Sequence, residues 1–342
     1  MSSRAFITGI AATELSAAER EFIRAERPWG FILFKRNIDS PSQVVRLVEE
    51  LRRAIDDPGA PVLIDQEGGR VQRLAPPHWP VYPAGATFGA LYDIDPELGL
   101  SAARLSARLI AEDLSELGIT VDCLPLADLP VAGADAVIGN RAYGTEPSKV
   151  AAIARAVTTG LEQGGVLPVL KHIPGHGRAG VDSHKKLPVV EAARAVLEAT
   201  DFAAFVPLAD LPMAMTAHVV FSALDPVHPA TTSATIIQQV IRGVIGFQGL
   251  LMSDDVSMNA LAGSIGERTE ALIAAGCDMV LHCNGELDEM RAVARQTPEL
   301  SDQSLQRARR ALASRRAPLA FDRPAARAEL DALIERARTA SA

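Results

Sequence analysis

The chain has 342 residues, of which 48% are hydrophobic and 22% charged, and this composition excludes the disordered and collagen-like classes. The formal net charge is −8, and the basic residues form no stripe of the kind that follows nucleic-acid phosphates. No apolar run approaches the roughly 18 residues of a membrane helix, so we expect neither a nucleic acid nor a membrane as partner.

The first 22 residues and the cysteines indicate the compartment. The apolar stretch near the start is short and is followed at once by charged residues, which is not the pattern of a signal peptide. Cys123, Cys277 and Cys283 have no regular spacing, so no disulfide framework is expected, and free thiols suit a reducing compartment. We predict a soluble, cytoplasmic and monomeric protein.

Eight short, nearly continuous apolar runs recur along the chain, as expected for strands buried on both faces. They lie at residues 5–10, 30–34, 61–65, 119–124, 166–171, 213–218, 250–254 and 278–283. Pro168 is awkward inside a central strand, so we place it near the start of the fifth run.

Helical patterns separate these runs. Ser16 with Glu19 forms a capping-box signal, Pro41 stands just inside the start of a second helix, and Gly118 ends a third. Further helices are predicted around 147–163, 190–208, 234–244 and 267–275.

Strands that alternate with helices predict parallel βαβ units, and at this length a closed (β/α)8 barrel of the TIM type is the natural arrangement. An open, doubly wound sheet is the alternative, although no glycine-rich dinucleotide fingerprint follows the first strand. We predict a single domain, with the barrel at about 5–300. The tail at about 301–342 should form two helices, separated around 318–324, that pack on the outside.

Polar residues capable of chemistry follow the predicted strands. They are Asp65, Asp128, Lys171, His172, His218, Asp254, Asp255 and His282, and His176 and His184 lie in the loop after the fifth run. Each residue alone could be a structural group. Together they predict an active site, because barrel enzymes carry it at the carboxyl ends of the strands.

Two segments contain candidate partners for such a site. In 63–74, Gly68 and Gly69 permit a tight turn, and Asp65 with Arg73 could recognise hydroxyls or simply pair to close the loop. In 171–188, Asp182 lies two residues before His184, so its carboxylate could orient the imidazole and raise its basicity. A surface loop with unpaired histidines is the alternative for this second segment.

The segment 249–258 leads from an apolar strand into Ser253, Asp254 and Asp255. A carboxylate held ionised at a strand end can attack an electrophilic carbon. The alternative role, capping the next helix, fits Asp255 better than Asp254.

Together the three segments resemble glycoside hydrolase family 3, in its single-domain β-N-acetylhexosaminidase branch. The resemblance covers about residues 5–300 and rests mainly on KH-x-PGHG-x4-DSH at 171–184 and on SDD-x-SM at 253–258. Ile173 stands where the family usually has Phe. The chain ends too soon for the second domain of the larger glucosidase members, and its DSH loop favours the branch that cleaves N-acetylglucosamine.

The resemblance implies roles for individual residues. Asp254 would be the nucleophile of a retaining mechanism with a covalent glycosyl-enzyme intermediate, and His184 the general acid/base with Asp182 as its partner. A second set would bind the hydroxyls of the terminal sugar, namely Asp65, Arg73, Arg141, Lys171 and His172. A third set would line the site, namely Asp128, His176, His218 and Asn284. No metal or cofactor is implied.

Cytoplasmic members of this branch release terminal N-acetylglucosamine from anhydro-muropeptides during cell-wall recycling, and the resemblance implies the same small-molecule glycan substrate here. Three alternatives stay open. They are a glycosidase or phosphorylase of different sugar specificity, a metal-dependent amidohydrolase that uses the histidines as ligands, and a non-catalytic sugar-binding module.

Overall fold

In a computed structural model, which describes residues 3–183 and 186–340, the eight predicted strands form a closed parallel barrel. Their order around the barrel follows the chain, and the last strand pairs with the first. The strands are β1 (Arg4–Thr8), β2 (Pro28–Leu33), β3 (Val62–Ile64), β4 (Val121–Asp122), β5 (Leu167–Ile173), β6 (Met213–Thr216), β7 (Leu250–Asp255) and β8 (Met279–His282). The predicted barrel is confirmed.

The barrel interior is filled by a hydrophobic cluster to which every strand contributes. Leu63 on β3, Val169 on β5 and Met252 on β7 belong to it. Because side chains alternate between the two faces of a strand, the residue two positions further along points to the same side. This alternation turns the polar residues at the carboxyl ends of these three strands inward, toward the mouth of the barrel.

The helices pack around the barrel, where a second and larger hydrophobic cluster fills the space between strands and helices. Their bounds are α1 (Ala17–Glu26), α2 (Pro41–Ala54), α3 (Gly85–Ile94), α4 (Pro96–Glu116), α5 (Pro147–Gln163), α6 (Arg194–Ala199), α7 (Asp201–Phe205), α8 (Ile265–Ala275), α9 (Leu287–Gln296), α10 (Asp302–Ala313) and α11 (Arg323–Ala340).

Local sequence signals account for several helix ends. Ser16 and Glu19 form the predicted capping box of α1, and Pro41 is the first residue of α2. Gly118 follows α4 with φ of 76°, a left-handed conformation that suits glycine after a helix. Pro168 is the second residue of β5, as expected.

Two predicted helices differ from the structure. The stretch 190–208 contains α6 and α7 with a break at Thr200, whose φ of −125° and ψ of −85° are not helical. The stretch 234–244 forms a π-helix over Ile236–Val244. The helix α9 has no counterpart in the sequence prediction, and neither has α3. Its Gly89 lies so close to Tyr143 that a Cβ atom would be 2.0 Å from the carbonyl oxygen.

The two predicted C-terminal helices pack on the outside of the barrel. α11 packs against α3 and α4 and buries Ala326, Leu330 and Leu333. α10 lies across the amino end of the barrel, since its Ala308 and Ala311 join the interior cluster. Among the described residues, no helix is both long and apolar enough to cross a membrane.

Candidate active site

A pocket of about 150 Å³ opens at the carboxyl end of the barrel. Six of the residues predicted for the site line it, namely Asp65, Arg73, Arg141, Lys171, His172 and Asp254. The other lining residues are mostly apolar, namely Ile32, Phe34, Val71, Met215, Asp255, Met258, Leu281 and Cys283. A concave pocket lined by apolar side chains and a few convergent charged groups is typical of a ligand site.

Asp254 is fixed in the pocket by the residues on either side of it. The preceding Ser253 is fully buried, and its Oγ accepts a hydrogen bond of 3.0 Å from the N–H of Leu281, which ties β7 to β8. The following N–H, of Asp255, donates to Oδ1 of Asp254 at 2.8 Å. These bonds hold the Asp254 carboxylate at a defined place on the pocket wall.

The surroundings keep Asp254 ionised. Burial alone would raise the pKa of this carboxyl. The nearby imidazoles of His218 and His172, together with the hydrogen bond from the N–H of Asp255, outweigh burial and hold the pKa below its usual range. An ionised carboxylate held in such a pocket is a suitable nucleophile for an electrophilic carbon.

The opposite charges of the pocket form an alternating row, which we call the charged row. It consists of Arg73, Asp65, Lys171, Glu67 and Arg141. Arg73 Nη2 lies 2.9 Å from Asp65 Oδ2, and Lys171 Nζ lies 3.0 Å from Asp65 Oδ1. Lys171 Nζ is also 2.6 Å from Glu67 Oε1. Glu67 completes the row by accepting from Arg141 Nη2 at 2.8 Å and Nε at 2.9 Å.

Four members of the charged row have shifted pKa values, and each shift favours the charged form of the side chain. Burial would favour the neutral forms, but the neighbouring opposite charges outweigh it. The pKa values of Asp65 and Glu67 therefore lie below their usual range, chiefly because of Lys171. Those of Lys171 and Arg141 lie above theirs because of the two carboxylates. Asp65 and Arg73, for which the sequence left two roles open, form an ion pair and also line the pocket.

Glu67 and Phe34 are site residues that sequence reasoning missed. Glu67 lies on the first strand of a small hairpin that pairs Gln66–Gly68 with Val71–Gln72. The next residue, Gly68, has φ of 93°, and a Cβ there would lie 2.3 Å from the Pro83 carbonyl oxygen, so the turn requires glycine. Phe34 directly follows β2, and its ring centroid lies 5.2 Å from Arg73 Cζ. The position of Phe34 at the end of a strand was the sequence signal that could have identified it as a site residue.

Asp128 and His176 lie behind the pocket. Asp128 accepts hydrogen bonds from His172 Nδ1 at 2.7 Å and from the N–H of His176 at 2.6 Å. Since Nδ1 donates to Asp128, Nε2 is the ring nitrogen through which His172 can bind a hydroxyl. His176 Nε2 lies 3.0 Å from Ser183 Oγ. Burial, followed by the charge of His172, lowers the pKa of His176 to about 4, which keeps this ring neutral at pH 7.

His218 supports the strand end that carries Asp254. Its Nε2 donates to the Asp255 carbonyl oxygen at 2.9 Å, and its Nδ1 lies 2.8 Å from Thr231 Oγ1. Burial lowers the pKa of His218, and the Thr231 hydroxyl itself donates to the Ala217 carbonyl oxygen at 2.9 Å. The described residues that line the pocket do not include His218, Asp128 or His176. Their predicted place in the site stays a prediction, and their hydrogen bonds show that they support the residues around the pocket.

Of the predictions for Asn284 and Asp255, only the helix-cap role of Asp255 is corrected. Asn284 Nδ2 donates to Glu289 at 2.7 Å and its Oδ1 accepts from the N–H of Glu286. It thus organises the start of α9, and the described part of the pocket lining does not include it. Asp255 is not a helix cap, because α8 begins at Ile265 with Ser264 as its cap. Asp255 instead binds Ser257 and the N–H of Cys283.

The acid/base prediction falls partly outside the described residues, because His184 is not among them. Asp182 is partly buried, and its carbonyl oxygen accepts from the N–H of Lys186. Within residues 3–183 and 186–340, no group of three or more His, Cys, Asp or Glu side chains is arranged to hold a metal ion.

Comparisons with known proteins agree with this geometry. Residues 7–314 match the model of the glycosyl hydrolase family 3 N-terminal domain. A β-hexosaminidase from Alkalilimnicola ehrlichii is 39% identical over 295 residues, which are 85% of this chain and 83% of the relative.

Two solved structures of NagZ from Neisseria gonorrhoeae are also similar. The native structure has a TM-score of 0.87 and 32% identity. The complex with N-trifluoroacetyl-D-glucosamine has a TM-score of 0.84 and 31% identity. Each covers 98% of both chains. The chain therefore belongs to glycosyl hydrolase family 3, and it is a glycoside hydrolase.

Proposed function

We propose that the protein is a retaining exo-β-N-acetylglucosaminidase, with Asp254 as nucleophile. The observation that carries this proposal is the pocket itself, which is lined by an ionised Asp254 together with Asp65, Lys171 and Arg141. A pyranose ring needs hydrogen-bonding groups for its hydroxyls and a nucleophile at its anomeric carbon, and this pocket offers both. The names of the similar proteins, β-hexosaminidase and a NagZ complex with an N-acylated glucosamine, support the choice of sugar.

The size of the pocket supports exo-action. Its volume of about 150 Å³ is half the lower limit of roughly 300 Å³ typical of small-molecule pockets. A space of this size suits a single terminal sugar, and the rest of the glycan would extend out of the barrel mouth. We therefore propose the terminal, non-reducing N-acetylglucosamine as the residue that is bound and released.

In the first step, Asp254 Oδ attacks the anomeric carbon and the bond from that carbon to the leaving oxygen breaks. His184 donates a proton to the leaving oxygen, which departs as an alcohol, and Asp182 stabilises the charged imidazole. The product of this step is a glycosyl ester on Asp254. Retaining enzymes form such an intermediate, and its formation is the first of two inversions at the anomeric carbon.

In the second step, water attacks the anomeric carbon and displaces the Asp254 carboxylate. The neutral imidazole of His184 takes the proton from this water, so the enzyme returns to its starting protonation state. Two inversions give net retention of configuration. The hydroxyls are held throughout by Asp65, Arg73, Lys171, Arg141 and His172.

For the physiological substrate we propose anhydro-muropeptides in cell-wall recycling, with the cytoplasm as the compartment. The three cysteines are buried and free, which suits a reducing environment. We also propose that the chain acts as one domain and as a monomer.

The experiment measures how much the His184→Ala substitution lowers kcat/KM on each of two substrates. An N-acetyl-β-glucosaminide with an alkyl leaving group needs protonation, whereas a nitrophenyl group leaves without it. We expect kcat/KM to fall about 10²–10⁴-fold on the alkyl substrate and much less on the nitrophenyl substrate. His228→Ala, an exposed histidine, is the control and should leave both rates unchanged.

Equal losses on both substrates would contradict the acid/base role of His184. NMR observation of the first product supplies a second test, because retention predicts the β-anomer of N-acetylglucosamine. The α-anomer as first product would contradict the two-step mechanism. Sugar phosphate in phosphate buffer would show that phosphate rather than water accepts the sugar.

A further inference from the structure

Glu67 is a buried carboxylate directly behind two cations of the pocket. Its side chain is 5% exposed, and it is not among the described residues that line the pocket. Lys171 and Arg141, which do line the pocket, both bind it. Glu67 takes no part in the two chemical steps, so its function lies in the two cations that it binds.

Lys171 depends on Glu67 for charge balance. The side chain of Lys171 is 2% exposed, and its ammonium group has two carboxylate partners among the described residues, Asp65 and Glu67. Asp65 is shared with Arg73. With Glu67 neutral, three cations of the charged row would compete for one carboxylate, and a buried cation without an adequate partner is costly.

Arg141 depends on Glu67 for its orientation. The two oxygens of Glu67 accept from Nε and Nη2 of Arg141, a paired arrangement that fixes the plane of the guanidinium. Nη1 of this head group donates to the Val137 carbonyl oxygen at 3.1 Å. A glutamine cannot replace this pairing, because its amide nitrogen would face a donor.

The backbone around Glu67 is itself well held. Oε1 of Gln66 accepts from the N–H groups of Arg73 and Leu74 at 2.9 and 3.0 Å. The N–H of Gln66 donates to Asp122 at 3.0 Å. Glu67 therefore presents its carboxylate from a fixed hairpin to a lysine on β5 and to an arginine in a loop, and can set the position of both.

We propose that Glu67 is a positioning residue for sugar binding, which holds Lys171 and Arg141 in place without touching the sugar. This inference rests on the proposed function, because it assumes that these two cations bind the hydroxyls of N-acetylglucosamine. It predicts that loss of the Glu67 charge weakens binding of the sugar more than it slows the chemical steps.

The test compares Glu67→Gln and Glu67→Asp with a matched control, Asp278→Asn. Asp278 is also a carboxylate with a side chain 5% exposed and bound by two cations, Arg242 and Arg307, but it lies before β8 at the amino end of the barrel. The measurements are kcat and KM on nitrophenyl N-acetyl-β-glucosaminide, and the Kd of N-acetylglucosamine by calorimetry.

For Glu67→Gln we expect KM and Kd to rise about 10- to 100-fold, as for the loss of one or two hydrogen bonds between charged groups. We expect kcat to fall less than KM rises, since an interaction made equally in the ground and transition states changes KM alone. Glu67→Asp keeps the charge and should recover part of the binding. Asp278→Asn should leave Kd within about twofold of the wild type.

Several results would overturn the inference. One is a folded Glu67→Gln with wild-type Kd, and another is an equal rise in Kd for Asp278→Asn, which would make the effect a general loss of structure. Should Glu67→Gln fail to fold, Glu67→Asp decides, and a wild-type KM for that variant would contradict the inference. Wild-type protein that neither binds nor releases N-acetylglucosamine would overturn the proposed function, and this inference with it.

Discussion

The two ends of the barrel each contain a buried carboxylate between two cations, but the cations serve different groups. At the carboxyl end, Glu67 binds Lys171 and Arg141, and both of these line the pocket. At the amino end, Asp278 binds Arg242 Nη2 at 2.8 Å and Arg307 Nη1 at 2.9 Å.

The partners of Asp278 tie the barrel together. Arg242 also donates to the carbonyl oxygens of Phe247 and Gly249, and Asp278 accepts from the N–H of Leu251 at 2.9 Å. Arg307 comes from α10, which lies across this end. The same local chemistry therefore closes the barrel at one end and equips a binding pocket at the other, in agreement with the usual division of barrel enzymes into stability and catalytic faces.

The largest expected effect is at the carboxyl end, in Asp254→Asn. This change removes the nucleophile but keeps an oxygen that can accept from the N–H of Asp255. We expect kcat to fall by about 10⁴-fold or more, as when other catalytic nucleophiles are removed. The free energy of unfolding should change by less than about 1 kcal/mol. Steady-state kinetics and urea denaturation of the same preparation measure both quantities.

The opposite result, a loss of stability without a loss of activity, is expected at the amino end for Asp278→Asn. Removing one charge from a buried cluster leaves Arg242 and Arg307 without their carboxylate and should destabilise the fold by about 3–5 kcal/mol. Activity of the folded fraction should be unchanged. A large loss of kcat with unchanged stability would contradict the division of roles between the two ends.

A smaller effect concerns pH, because buried histidines also concentrate at the carboxyl end. The pKa values of His176 and His218 are lowered by burial, so the unfolded chain binds protons near pH 6.5 that the folded chain does not. Stability should therefore decrease as the pH falls below about 6.5, by up to about 1.4 kcal/mol per pH unit for each proton. His218→Gln should reduce this slope, as measured by urea denaturation from pH 7 to 5. A slope as steep as that of the wild type would contradict the assignment.

Much of the fold was predictable because the parallel strands are short, apolar and regularly spaced. The same runs placed Asp65, Lys171 and Asp254 at the carboxyl ends of strands, and the structure brings all three to one pocket. Strand alternation explains this success, since each follows an interior residue by two positions.

The residues that escaped prediction depend on contacts between distant segments. Glu67 pairs with Arg141, which is 74 residues away in the chain, and no local sequence pattern predicts that pairing. Asn284 and His218 were predicted to line the site, but no sequence pattern shows that they donate to Glu289 and to the Asp255 carbonyl oxygen. The helix α3 was missed because its glycines serve close packing against the segment with Tyr143 rather than helix propensity.

The most direct test of the nucleophile is to trap the intermediate. A 5-fluoro N-acetylglucosaminyl fluoride forms the glycosyl ester with the nucleophile and slows its hydrolysis, and mass spectrometry of the digested protein then locates the label. The account predicts a label on Asp254 in the wild type and no label in Asp254→Asn. A label on any other carboxylate, Asp255 or Asp65 above all, would contradict it.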